Sequence, residues 1–179
     1  MVERLVLAVI GMAPALASAA PNAPTNAAID RGAQGRLALT LGLLTPTGEI
    51  GVEYTQRVLP YLEIGAGGGL GVFGAQASLM PRLRAGDRNT SLTLGAGVSG
   101  GPFHEQPILC FDDCGNTETT VLWANLEIGF DFTSDSGVSF RVYGGAGDLI
   151  AHGSCTGPDC DRLRGTILPY VGIAVGHTL

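Results

Sequence analysis

From Arg36 onward, apolar side chains recur at every second position in eight strand-length runs, and turn-forming clusters separate the runs. A period of two is the signature of a β-strand whose two faces meet different surroundings. The runs span Arg36–Leu44, Glu49–Val58, Tyr61–Phe73, Ala75–Arg84, Thr90–Gly100, Val121–Thr133, Val138–Leu149 and Ile167–His177. Pro81 lies inside the fourth run and removes a ladder donor, so that strand is expected to bulge there or end early.

The two faces differ in charge. One carries Leu37, Leu39, Leu41 and Leu43 in the first run, Leu122, Ala124, Leu126, Ile128, Phe130 and Phe132 in the sixth, and equivalent apolar sets elsewhere, with no ionised group among them. The other carries Glu49, Glu53, Glu63, Glu127 and Asp131 together with Arg36, Arg57, Arg82, Arg84 and Arg141. A lipid-facing ion at mid-membrane costs about 2–4 kcal/mol, so the uncharged face fits hydrocarbon. The balanced ions, small polar residues and glycines of the other face fit an ion-paired lumen holding water.

Connections sort by length. Leu59-Pro60, Gly86–Asn89 and Ser134–Gly137 are short and rich in turn residues; Gly101–Thr120 and Ile150–Thr166 are long. If the strands run up and down, those three short turns share one end and both long loops share the other with Thr45–Gly48 and the turn near Gly74, the asymmetry of outer-membrane barrels. The expected fold is an all-β, eight-stranded antiparallel up-and-down transmembrane β-barrel over residues 36–179.

The N-terminus reads as an export address. Arg4 precedes the apolar run Leu5–Leu16 and the A-x-A site Ala17-Ser18-Ala19, so residues 1–19 are expected to be a signal peptide. Residues 20–35, rich in Pro, Asn, Ala and Gly, read as a flexible leader. After that no apolar run reaches the roughly 18 residues of a membrane helix.

The eight runs, the segment Leu59-Pro60-Tyr61-Leu62-Glu63-Ile64-Gly65-Ala66-Gly67 and its partial echo from Leu168 to Gly176 resemble the small outer-membrane barrels of the OmpA transmembrane-domain and OmpX-like type. The likeness covers Arg36 to Leu179 and implies an outer-membrane location with outer-membrane lipids as partners. Where that family typically ends in an aromatic residue, this chain ends His177-Thr178-Leu179.

Four cysteines give the sharpest local signal: Cys110 and Cys114 in one long loop, Cys155 and Cys160 in the other. In an exported chain they imply disulfides. The local pairing Cys110–Cys114 with Cys155–Cys160 is favoured, cross-loop pairing being the alternative. The spacing is looser than that of a tetrathiolate zinc site, and no metal site or cofactor is expected.

A net charge of −6 and the absence of lysine argue against nucleic acid and rule out a P-loop. Gly69 to Gly74 matches a dinucleotide-binding pattern by letter, but the next run is a strand rather than a helix. Gly65, Gly67, Gly69 and Gly71 instead read as lumen positions that leave room for Tyr143, Trp123 or other bulky neighbours. His104, His152 and His177 stand apart from any serine or cysteine at motif spacing, and no catalytic residue is assigned.

Glu53, Glu63, Glu127 and Asp131 are expected to pair with Arg57, Arg82, Arg84 and Arg141 in a lumen network, Arg141 meeting Glu127 and Asp131 on the strand beside it. The expected function is structural or surface interaction, with an extracellular ligand for the long loops. One alternative is a soluble exported barrel that binds a small apolar ligand as lipocalins do, its leucine face turned inward. A lesser alternative is an outer-membrane lipid hydrolase.

Overall fold

The computed structural model describes residues 35–72, 74–87, 89–104, 118–153 and 167–179. The expected signal peptide, the leader up to residue 34 and all four cysteines lie outside these residues. The described residues form eight strands: β1 (Gly35–Leu43), β2 (Ile50–Leu59), β3 (Leu62–Gly71), β4 (Gly74–Gly86), β5 (Thr90–His104), β6 (Glu118–Thr133), β7 (Val138–His152) and β8 (Ile167–Thr178). Each pairs antiparallel with the next, and β1 with β8, so the sheet closes into a barrel.

The hairpin arms run further than the apolar pattern does. β5 continues through Gly101–His104, β6 begins at Glu118, and β7 continues to His152. Once the alternation stops, ladder hydrogen bonds still extend a hairpin, and burial pattern alone does not register that.

Pro81 neither bulges nor ends β4. It faces Ile64 of β3, while on the β5 side the register is the same before it (Leu79–Val98) and after it (Arg82–Gly95). The missing donor interrupts one ladder locally without inserting a residue. Register shifts occur instead on β2 between Arg57 and Leu59, and between β6 and β7, where Leu122 faces Ala151 but Trp123 faces Leu149.

The apolar face points outward on every strand. Leu39, Leu94, Ile128, Phe130 and Val175 are all exposed, Phe130 at 52%. The interior holds Glu53, Glu63, Glu127, Asp131, Arg36, Arg82 and Arg141, all buried, Arg82 at 2%. This placement overturns the soluble, apolar-ligand alternative, because that reading needs the leucine face inside.

The turn between β1 and β2 folds into the lumen. Thr45 and Thr47 are fully or nearly fully buried, Thr47 bonds Thr40 (2.9 Å), and the Thr45 hydroxyl donates to the Gly48 carbonyl. Leu44 (φ 56°) and Gly48 (φ 83°) take the left-handed conformations that reverse the chain here.

Glycines on neighbouring strands make the socket. A Cβ on Gly67 or Gly172 would press on Thr47 or Thr45, and one on Gly65 would overlap the Arg82 guanidinium. Thus the glycines of β3 make room for Arg82 and the inward turn, not for Tyr143 and Trp123. Those rings lie against Gly172 and Gly147.

A Cβ on Gly172 would stand 2.6 Å from the Tyr143 hydroxyl and 3.0 Å from Thr45 Cγ2. Gly172→Val is therefore expected to destabilise the barrel by about 1–3 kcal/mol through overpacking. Its urea midpoint, compared with the parent protein, checks this; an unchanged midpoint contradicts the packing described.

Candidate functional site

Along β6 the lumen positions run from the long-loop end to the short-turn end as Val121, Trp123, Asn125, Glu127, Gly129 and Asp131. The long-loop end is apolar, with Val121, Trp123 and Leu149 packed together, and Asn125 donates to Ser99 (2.9 Å). A void of about 20 Å³ lies between Trp123, Asn125 and Tyr170, room for about one water.

Mid-lumen, side chains from four strands meet. Arg82 on β4 donates from Nε to Glu127 on β6 (2.7 Å) and from Nη2 to Glu53 on β2 (2.7 Å). Arg141 on β7 reaches the other oxygen of Glu53 (2.8 Å), which also accepts from Thr55 (3.0 Å). Glu53 is thus a hub. Two arginines and two glutamates cancel in charge, which a buried layer requires if no ion is to be left alone.

A second group lies toward the short-turn end. Arg36 on β1 bonds Asp131 on β6 (2.6 Å) and stands 3.7 Å from Glu63 on β3. Arg141 pairs across the lumen with Glu53 rather than with Glu127 and Asp131 on the neighbouring strand, Glu127 being bonded by Arg82 and Asp131 Oδ1 by Arg36. The guanidinium also stacks on the Tyr143 ring, 4.8 Å from its centroid.

Arg141 Nε and Nη1, Asp131 Oδ2, Ser91 Oγ and Thr93 Oγ1 are buried with no hydrogen-bond partner among the described residues. Such a mixture of donors and acceptors is suited to water rather than to one ion.

Beyond this layer a polar vestibule of about 270 Å³ lies at the short-turn end, lined in part by Arg36, Arg57, Glu63, Arg84 and Asp135. Arg57 and Arg84 stand here rather than in the mid-lumen layer, and Arg84 donates to the Asp87 carbonyl (3.0 Å). Glu49 sits at the opposite end, accepting from the Val72 amide.

Two charged residues escaped the sequence reading. Arg36 was placed on the inner face but not among the paired groups, since its partners face it only after β1 closes against β8. Asp148 follows the outward alternation near the long-loop end of β7, opposite Ala124 and Ile167; it lies inside the seventh run, beyond Val138, Phe140 and Val142, the residues that define the uncharged face there. His152 Nδ1 lies 3.0 Å from the Gly153 carbonyl, while His177 sits beside Gly137 at the other end. Among the described residues neither His152 nor His177 hydrogen-bonds a serine or threonine hydroxyl. Nor does any cluster of three or more metal-ligating side chains occur among the described residues.

No protein-family model matches the chain. No curated protein matches it either. Among solved structures the chain is similar to the crystal structure of Acinetobacter baumannii CarO, at 14% identity and a TM-score of 0.42, over 80% of this chain and 97% of that one.

Proposed function

We propose that this chain is a bacterial outer-membrane β-barrel protein with a structural or surface-interaction role. The observation that carries the reading is the inverted arrangement of its side chains: large apolar residues exposed on every strand, arginines and carboxylates buried within. In water, such a surface exposes a continuous apolar belt far larger than a soluble monomer tolerates. In a bilayer the same belt is the solvent-matched face.

The belt has the right height. On β7, the outward-facing Asp148 stands ten positions along the strand from Val138. At about 3.3 Å per residue and a tilt near 40°, that is about 25 Å, the height of the apolar band on such barrels. Exposed aromatic residues, Tyr61, Phe132 and Phe140, gather near the short-turn end, where an interfacial girdle would lie.

In this reading the short turns face the periplasm and the long connections face outside. Residues 1–19 direct export, and Cys110, Cys114, Cys155 and Cys160 form disulfides that brace the outer loops. The role is non-catalytic and needs no cofactor. Eight strands leave a lumen that side chains fill, so passage of large solutes is outside its reach.

Outer-membrane fractionation followed by a detergent gel tests location and closure together. The expected result is a band in the outer-membrane fraction whose mobility changes on heating, as the closed barrel unfolds. Recovery in the soluble fraction without detergent would overturn the membrane reading.

A further inference from the structure

On the long-loop side of the charged layer the lumen is filled by a piece of main chain. Thr45, Pro46, Thr47 and Gly48 are all buried. Thr47 lies against the layer: a Cβ at Gly67 would meet Thr47 Cγ2 at 2.8 Å and Glu53 Cα at 3.3 Å. Leu44 and Thr45 line the small void with Trp123 and Asn125, next to the apolar Val121–Trp123–Leu149 cluster. The turn therefore stands between Glu53 and the long-loop mouth.

Its anchorage is slight for so buried a position. Thr47 bonds Thr40 (2.9 Å), the Thr45 hydroxyl donates to the Gly48 carbonyl, and the Gly48 amide donates to the Thr45 carbonyl (2.8 Å), all within the β1–β2 hairpin. Being uncharged, the turn takes no part in the ion pairs beside it. The wall behind it includes Gly51, Gly67 and Gly69, which present backbone and no side chain to hook it.

Leu44 leaves its side chain exposed (37%) and holds a left-handed φ of 56°, a conformation that strains any residue with a Cβ. Strain of this kind persists only where the surroundings enforce it, and it collects in elements that switch. An outward swing of the turn would break the Thr40–Thr47 bond, carry the bonds between Thr45 and Gly48 along with it, and release Leu44.

We propose that the Thr45–Gly48 turn is a plug that swings out toward the long-loop end, admits water to the Glu53 layer and closes again. The plug belongs to the barrel interior, so it stands apart from the question of what surrounds the outer face.

The test uses the full chain carrying Thr47→Cys, folded in detergent micelles and exposed to a water-soluble maleimide. Mass spectrometry of peptide fragments follows the label at position 47, and a urea jump gives the unfolding rate of the same variant. The expected result is labelling faster than the barrel unfolds. Adding Leu44→Gly relieves the inward state and should slow labelling about tenfold, whereas adding Gly48→Ala, at φ 83°, strains it and should speed labelling about tenfold, the scale of one left-handed residue.

Heat-modifiable migration checks that each variant is a closed barrel; if Gly48→Ala does not close, Leu44→Gly decides alone. Labelling no faster than unfolding, or a labelling rate that Leu44→Gly leaves unchanged, overturns the proposal.

Discussion

Arg82→Ala should cost the folded barrel about 3–5 kcal/mol, more than any other single substitution in the lumen. Arg82 is 2% exposed and joins Glu53 on β2 to Glu127 on β6, so its loss leaves two buried carboxylates short of a partner. Glu53 still has Arg141, whereas Glu127 has no other ion pair among the described residues. Adding Glu127→Gln should therefore restore part of the loss.

Arg141→Ala should cost less, because Glu53 keeps Arg82. It should couple to Glu53→Gln more strongly than to Glu127→Gln. Equilibrium urea unfolding of each single and double variant measures these energies. A loss below about 1 kcal/mol for Arg82→Ala would mean that solvent screens the layer as it screens a surface pair.

That coupling pattern marks where sequence reasoning reached its limit. The alternation along each run was enough to sort inward from outward residues, since a strand's faces follow from a period of two whatever its neighbours are. It therefore placed Glu53, Arg82, Glu127 and Arg141 on one face. Which arginine meets which acid depends on barrel closure, which brings β2 opposite β7 and β1 opposite β6. Ladder neighbours are legible from a linear pattern, but partners across the lumen are not, so the pattern matches Arg141 to Glu127 and Asp131 and gives no sign that Arg36 takes Asp131.

The inward turn was hidden for a related reason. Thr45-Pro46-Thr47-Gly48 has the composition of an exposed turn, and nothing local distinguishes it from one. Its burial depends on glycines at Gly42, Gly51, Gly67 and Gly172, contributed by four strands. Glycine in a strand is legible as a sign of close approach, but the approaching group is not. The register shifts on β2 and between β6 and β7 likewise leave no mark that turn chemistry or alternation records.

Leu126→Arg should abolish insertion of the barrel into lipid vesicles, while Glu127→Gln should insert at close to the parent level. Leu126 is on the outer face of β6, level with Ala96 of β5 and Ala146 of β7. Along its own strand it has Ala124 and Leu122 on one side and Ile128, Phe130 and Phe132 on the other, so it sits in the middle of the apolar belt. An arginine there costs about 2–4 kcal/mol at the bilayer midplane, and its side chain has polar regions only at the far ends of the strand.

Glu127 faces the opposite way, buried against Arg82. Replacing its charge with an amide removes one ion pair but leaves a hydrogen-bonding side chain, and Arg82 keeps its bonds to Glu53. The two neighbouring substitutions thus separate the faces of one strand. Vesicle folding followed by heat-modifiable migration reads the fraction inserted. Equal insertion of both variants, or better insertion of Leu126→Arg, would mean that the exposed leucine face does not meet hydrocarbon.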